Sequence, residues 1–264
     1  AGSLKGYLRW PSLWHSLRPD RILAISKDDG QRFAVLFGKD CVDIMPNIKF
    51  DRLHYDTESS GPTNPLSSIF FPNAKLIVLG SVRYEEEDQI QQIIVEILRR
   101  HPMVIVGLFP RHMDRLEAWT SFLNNQKIVW CLRSKSDQSP PPGSLILWDT
   151  FGELFHAYQL STAAFVGGTL APLGGQNFLE PLSSGVLPVI GPFWETFQWV
   201  GTEIIERGLV RVAQDWRGVV DTLSSDITRP VSRGKVLEEA AQYVNQRQGG
   251  TDMACRLILE YLSG

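Results

Sequence analysis

Apolar positions along this chain alternate between short unbroken runs and stripes spaced for helices. Leu76-Ile77-Val78-Leu79 is a run closed by Gly80. Ile90, Ile93, Ile94, Ile97 and Leu98 then follow at the i, i+3, i+4, i+7, i+8 spacing of an amphipathic helix. Arg99, Arg100 and His101 suit the negative end of that helix, and Pro102 stops it. A second run, 103–109, precedes a helix from Asp114 to Asn124. Further strands are predicted at 127–132, 144–148, 163–166, 186–190 and 209–212, with helices near 152–159, 178–184, 199–207, 215–224, 234–246 and 252–262. Strands that are apolar throughout, alternating with helices, belong to a parallel sheet covered on both faces. The expected fold class is α/β, a Rossmann-like doubly wound parallel sheet.

The first fifty residues carry a smaller pattern of the same kind. Arg21–Ser26 reads as a short buried strand, and Ser26 as an N-cap with Asp28 and Asp29 in the first helical turn. Phe33, Leu36 and Phe37 form an apolar face, Gly38 ends the helix, and Val42–Met45 is a second strand. This suits the tail of a domain over residues 1–51, with a turn-rich linker over 52–74 and the main domain over 75–264. Ala1-Gly2-Ser3 resembles a leader left by cloning, so an N-terminal anchor or domain is expected outside this chain. Residues 4–18, with Trp10, Trp14 and Pro11, fit a surface helix, a partner-facing segment or core.

Composition narrows the possibilities. The 264 residues are 43% hydrophobic and 21% charged, with a net charge of −3, which suits a globular protein and disfavours broad capture of nucleic acid. Cys41, Cys131 and Cys255 are too scattered for a disulfide scaffold or zinc site and suggest a reducing compartment. The five histidines lack metal-ligand spacing. No apolar run approaches the roughly 18 residues that span a bilayer, and no signal peptide opens the chain.

Doubly wound sheets bind ligands outside the carboxyl ends of their strands, so the residues just beyond each strand carry the candidate chemistry. After 76–79 come Gly80 and Ser81, a tight turn and a hydroxyl. Glu85-Glu86-Glu87-Asp88 then opens the helix, either to offset its dipole or to serve a sugar or base. After 103–109 come Arg111 and His112, which either bind an anion or pair with a carboxylate and cap a turn. After 144–148, Thr150 and Glu153 have capping-box spacing. The densest segment is Phe165–Pro181. Gly174 and Gly175 permit close backbone approach, and the amides that follow them are expected at a helix N-terminus, which suits a phosphate. Asn177 and Glu180, three apart, face one side, where the carboxylate can accept from ribose hydroxyls. Trp194, Phe193 and Phe197 either stack on a base or pack in the core.

These motifs resemble the C-terminal domain of the 3-deoxy-D-manno-octulosonic acid (Kdo) transferases. Pro110-Arg111-His112, Asp149–Leu154, Phe165–Pro181, Gly191-Pro192 with Phe197, and Asn47–Asp51 carry the likeness, in order, over about Arg21 to Leu262. Around residue 80 the family typically reads Gly-Ser-Thr-His-Glu-Gly-Glu-Glu, and this chain differs at Val82, Arg83, Tyr84 and Glu85. Gln176 stands where histidine is common. The resemblance implies a GT-B fold whose C-terminal domain binds CMP-Kdo. It implies transfer of Kdo, with inversion and release of CMP, to lipid A precursor in lipopolysaccharide synthesis at the cytoplasmic face of the inner membrane. No cofactor and no metal at the sugar phosphate are expected. Arg111 would hold one donor anion with help from His112, the Gly174–Asn177 amides the phosphate, and Glu180 the ribose. Asn177 would orient the ligand, and Gly80 and Ser81 would line the cleft. The general base is expected on an acceptor domain outside this chain, which alone would not transfer Kdo. The other readings are a different GT-B nucleotide-sugar enzyme, transferase or epimerase, and a non-catalytic nucleotide-sugar-binding module.

Overall fold

The computed structural model describes residues 18–53, 64–71, 74–136 and 140–263. The aromatic segment up to residue 17, and most of the expected linker, lie outside them. Compact packing divides the chain into two units, Ala1–His54 with Gln242–Gly264, and Tyr55–Ala241.

In the first unit, β1 (Ile22–Ala24) pairs in parallel with β2 (Val42–Ile44). Between them runs α1 (Lys27–Phe37), whose N-cap Ser26 accepts from the Asp29 amide, and Gly38 ends it at φ 94°. The strand expected to be buried is half-exposed at Ile22 and Leu23, because the described part of this sheet has only two strands. The apolar face of α1 is likewise poorly covered, with Phe33 38% exposed.

The C-terminal helix of the chain, Gly250–Ser263, belongs to this unit, whereas the sequence pattern suggests that the second domain runs through to residue 264. The reason is local. The Asp51 carboxylate accepts from the Gly249 amide at 2.7 Å and the Thr251 amide at 2.6 Å, so it caps that helix. A Cβ on Gly250 would overlap the Pro46 carbonyl oxygen, so only glycine fits at this junction.

In the second unit, a sheet of seven parallel strands is built from β3 (Leu76–Val82), β4 (Ile105–Pro110), β5 (Trp130–Leu132), β6 (Leu145–Leu147), β7 (Ala163–Val166), β8 (Pro188–Ile190) and β9 (Arg211–Val212). Their spatial order is β5-β6-β4-β3-β7-β8-β9. The helices are α2 (Glu87–Arg100), α3 (Leu116–Asn125), α4 (Leu154–Leu160), α5 (Leu179–Ser183), α6 (Glu203–Glu206) and α7 (Trp216–Thr228). From Arg233–Asn245 (α8) the chain passes into α9 (Gly250–Ser263).

The apolar stripe expected on α2 is the observed one, with Ile90, Ile93, Ile94 and Ile97 essentially solvent-free beneath β3 and β4 residues. The turn-rich stretch before residue 75 is not all linker. Its residues 64–71 lie in this unit, with Leu66 and Ile69 buried and Asn64 donating to the His156 carbonyl at 2.8 Å. Between β3 and β7 the strand order reverses, since the chain leaves β3 toward β4 on one side and later fills the other side from β7. That reversal opens a crevice at the carboxyl edge of the sheet.

Two measurements test these contacts. Ile93→Ala leaves a cavity in a closed core and is expected to cost about 2–5 kcal/mol in denaturant unfolding, against well under 1 kcal/mol for Val95→Ala on the outer face of α2. The hydrogen bonds to Asp51, chiefly from Thr251, hold its carboxyl below the ordinary value. Its contribution is therefore present above the ordinary aspartate range and is lost as the pH falls through the lowered value. In Asp51→Ala the α9 amides are expected to exchange with solvent faster than in the wild type at neutral pH, and the difference to narrow in acid.

Candidate functional site

The crevice is built from the ends of β3 and β7. Gly80 pairs with Val166, and the Gly167 amide donates to the Gly80 carbonyl at 2.8 Å. Ser81 then turns at φ 55°, a left-handed conformation that is costly outside glycine. This turn brings its carbonyl so close to β7 that a Cβ on Gly167 would lie 2.6 Å from it. Gly80 is a steric necessity of another kind, since a Cβ there would overlap the Tyr158 hydroxyl.

Glu86 fixes the loop that leaves β7. Its buried carboxylate accepts from the Gly168 amide at 2.6 Å, from the Thr169 and Leu170 amides at 3.2 Å, and from the Arg83 amide at 3.0 Å. Burial is the larger influence and raises its pKa, while these amides oppose the rise. Neither expectation for the acidic cluster describes Glu86, which is an internal anchor. Glu87 is bound by the Arg115 guanidinium in a two-point contact at 3.1 and 2.8 Å. Asp88, in the first turn of α2, fits the dipole role.

The loop after β7 is laced to the loop after β8. Thr169 Oγ1 donates to the Val166 carbonyl and accepts from the Gly191 amide, at 2.7 and 2.8 Å. Gly174 and Gly175 take φ of 83° and 89°, and the Gly175 amide donates to the Gly168 carbonyl at 2.9 Å. That amide is therefore unavailable to a ligand, contrary to the expectation for the whole Gly174–Asn177 segment. The helix also starts late, with Phe178 as N-cap of the five-residue α5. Gln176 packs its side chain over Gly168.

Asn177 and Glu180 do meet, with Asn177 Nδ2 donating to Glu180 Oε1 at 2.9 Å. Burial raises the Glu180 pKa, while the Asn177 hydrogen bond and the positive charge of Arg111 pull it back. Arg111 and Glu180, from opposite sides of the crevice, thus share one electrostatic environment. Arg111 is exposed, and its amide donates to the Val82 carbonyl at 2.8 Å. Its guanidinium makes no hydrogen bond or ion pair with a described residue. His112 is exposed beside it.

Other expectations change. Thr150 and Glu153 do not form a reciprocal capping box. Instead the Glu153 carboxylate gathers Thr150 Oγ1 at 2.9 Å, Trp148 Nε1 at 2.8 Å and the Arg133 guanidinium at 3.0 Å. Phe178 packs against Phe197 and Trp194 at centroid distances of 5.0 and 6.4 Å, which favours the packing role for those aromatics. Sequence reasoning missed Tyr158. It is fully buried on α4, yet its hydroxyl reaches the end of β3, within the field of Glu180. Among the described residues no group of three or more His, Cys, Asp or Glu side chains is arranged to hold a metal ion. No described helix is long and apolar enough to cross a membrane.

A doubly wound parallel sheet with a glycine-lined switch point is the Rossmann-like arrangement of the GT-B glycosyltransferases. The fold agrees with a glycosyltransferase from Rickettsia africae at a TM-score of 0.57 and 11% identity, over 96% of this chain and 66% of that one. The C-terminal CMP-Kdo binding domain of WaaA from Acinetobacter baumannii is 30% identical, with a TM-score of 0.59, over 65% of this chain and 90% of that domain. Two curated relatives named 3-deoxy-D-manno-octulosonic acid transferase are similar along most of the sequence. The Haemophilus influenzae protein is 25% identical over 99% of this chain and 60% of its own length, and the Bordetella pertussis protein 28% identical over 92% and 57%. No family model matches. This chain belongs to the 3-deoxy-D-manno-octulosonic acid transferase family and spans a little over half the length of these curated relatives.

Two variants test the electrostatics. Glu86→Gln places an amide nitrogen or a single weaker acceptor against four backbone donors and is expected to cost about 2–4 kcal/mol in unfolding. Arg111→Ala removes the positive charge that lowers the Glu180 pKa. The carboxyl of Glu180, followed by carbon-13 NMR, is expected to titrate at higher pH in that variant than in the wild type.

Proposed function

We propose that this chain is the donor-binding part of a glycosyltransferase that transfers Kdo from CMP-Kdo to lipid A precursor. The observation that carries the proposal is the exposed Arg111 guanidinium, which has no hydrogen-bond or ion-pair partner among the described residues and whose charge acts on the Glu180 carboxylate. CMP-Kdo bears a phosphate and a sugar carboxylate, so its site needs fixed cationic donors. A guanidinium offers two parallel hydrogen bonds to either anion. Glu180, oriented by Asn177, suits a pair of ribose hydroxyls, which donate to it without adding negative charge. The backbone donors for the phosphate are then the amides of Gly174, Gln176 and Asn177, because the Gly175 amide is engaged.

On this assignment the chain supplies binding and electrostatics. Arg111 and the loop amides stabilise the negative charge that builds on the CMP phosphate as the bond to Kdo breaks. His112 stands close enough in sequence to assist Arg111, and Ser81 lines the mouth of the crevice. Residues 1–51 would belong to the acceptor-side domain, which in the whole enzyme works at the inner membrane and carries the general base.

Calorimetric titration of the wild type with CMP, UDP and GDP is expected to show a preference for CMP. Arg111→Ala and Glu180→Ala are each expected to weaken CMP binding about 10- to 100-fold, the range for lost hydrogen bonds to charged groups. Unchanged affinity in both variants would sink the site assignment. A preference for UDP or GDP would favour another nucleotide-sugar enzyme, and no binding of any nucleotide an interaction module.

A further inference from the structure

The Tyr158 hydroxyl has no assigned role and an unusual position. The ring is fully buried on α4, and Oη fills the space that a side chain on Gly80 would take. Oη makes no hydrogen bond with a described residue. Oη is not one of the polar atoms left with neither solvent nor a partner, so the tip of this otherwise buried side chain keeps a little accessible area. Its location is informative. Gly80 is the last β3 residue paired with β7 at the switch point, α4 packs against both β3 and α5, and the charge of Glu180 on α5 adds to burial in raising the pKa of the Tyr158 phenol.

We propose that Tyr158 is a positioning residue for the ligand's ribose, its hydroxyl donating a hydrogen bond to a ribose hydroxyl oxygen that itself donates to Glu180. The inference rests on the reading of this crevice as a nucleotide site. A group placed between an acceptor carboxylate and a phenolic donor must both donate and accept. A ribose hydroxyl does both, whereas a phosphate oxygen beside Glu180 would meet like charge. The phenol stays protonated in this setting, since burial and the Glu180 charge both disfavour a second anion. Gly80 then has a functional meaning as well as a steric one, because its missing side chain lets the hydroxyl reach the crevice floor.

The test compares wild type and Tyr158→Phe against CMP, UMP and GMP and their 2′,3′-dideoxy counterparts. Thermal melting verifies that the variant folds. The variant is expected to bind the preferred ribonucleotide about 10-fold more weakly, while both proteins bind the dideoxy form equally well. A structural role alone would weaken both forms alike, and that result overturns the proposal. So does a variant that binds the ribonucleotide as tightly as the wild type. If the wild type prefers UMP or GMP, the CMP reading fails while the ribose comparison still decides the role of Tyr158. If it binds none of them, both readings fall.

Discussion

One buried carboxylate organises the functional edge of this protein. Glu86, at the start of α2, accepts from four backbone amides, three of them consecutive in the loop that leaves β7. A charge in such a setting is tolerated only when its hydrogen bonds are satisfied, and here they are satisfied by backbone. The same bonds prevent the loop from relaxing away from β3. Thr169, held in this way, fastens the loop after β8 through Gly191. Gly168, held in this way, receives the Gly175 amide and sets the course of the chain toward Asn177 and Glu180. The groups proposed to face the ligand are therefore positioned by a carboxylate buried behind them.

This separation clarifies where the chain departs from its family around residue 80. The differing positions are Val82, Arg83, Tyr84 and Glu85, whereas Gly80, Ser81, Glu86 and Glu87 match. Glu86 works through its side chain on the backbone amides of others, and Gly80 through the side chain it lacks. Arg83 meets Glu86 through its main chain, its amide donating to the carboxylate and its carbonyl accepting from the Glu86 amide at 3.2 Å, and any residue except proline can supply both. Tyr84 points outward, 61% exposed, with the Arg115 guanidinium over its ring. Tyr84 and Glu85 are exposed, whereas Val82 is buried in the core, so the changes are not confined to the surface.

Most of the sheet was legible in the sequence, because buried parallel strands are apolar throughout and the α2 stripe has an unambiguous period. Arg111, Asn177 and Glu180 stand out as candidates because topology puts post-strand residues on one edge. The features that escaped depend on partners far away in the chain. Glu86 sits 82 residues from Gly168, and nothing local distinguishes it from its acidic neighbours. Asp51 and Gly249 are 198 apart, so the allegiance of the last helix was hidden. Tyr158 carries no local signal, since the place of its hydroxyl in the notch left by Gly80 depends on packing between α4 and β3. The Gly175 amide was misassigned because composition cannot reveal which donors a loop uses on itself.

The Glu86 anchor also constrains how this unit can form. Pairing β3 with β7 closes a loop across β4, β5 and β6, and closure of that kind is entropically slow. Until β7 arrives, Glu86 has only the nearby Arg83 amide and must keep its water. Desolvation of the carboxylate and docking of β7 are accordingly a single cooperative event. A nascent chain that has emerged only through β6 holds a solvated charge at its future centre. The crevice and the finished sheet come into existence together, so a partly folded form lacks the edge on which the proposed site is built.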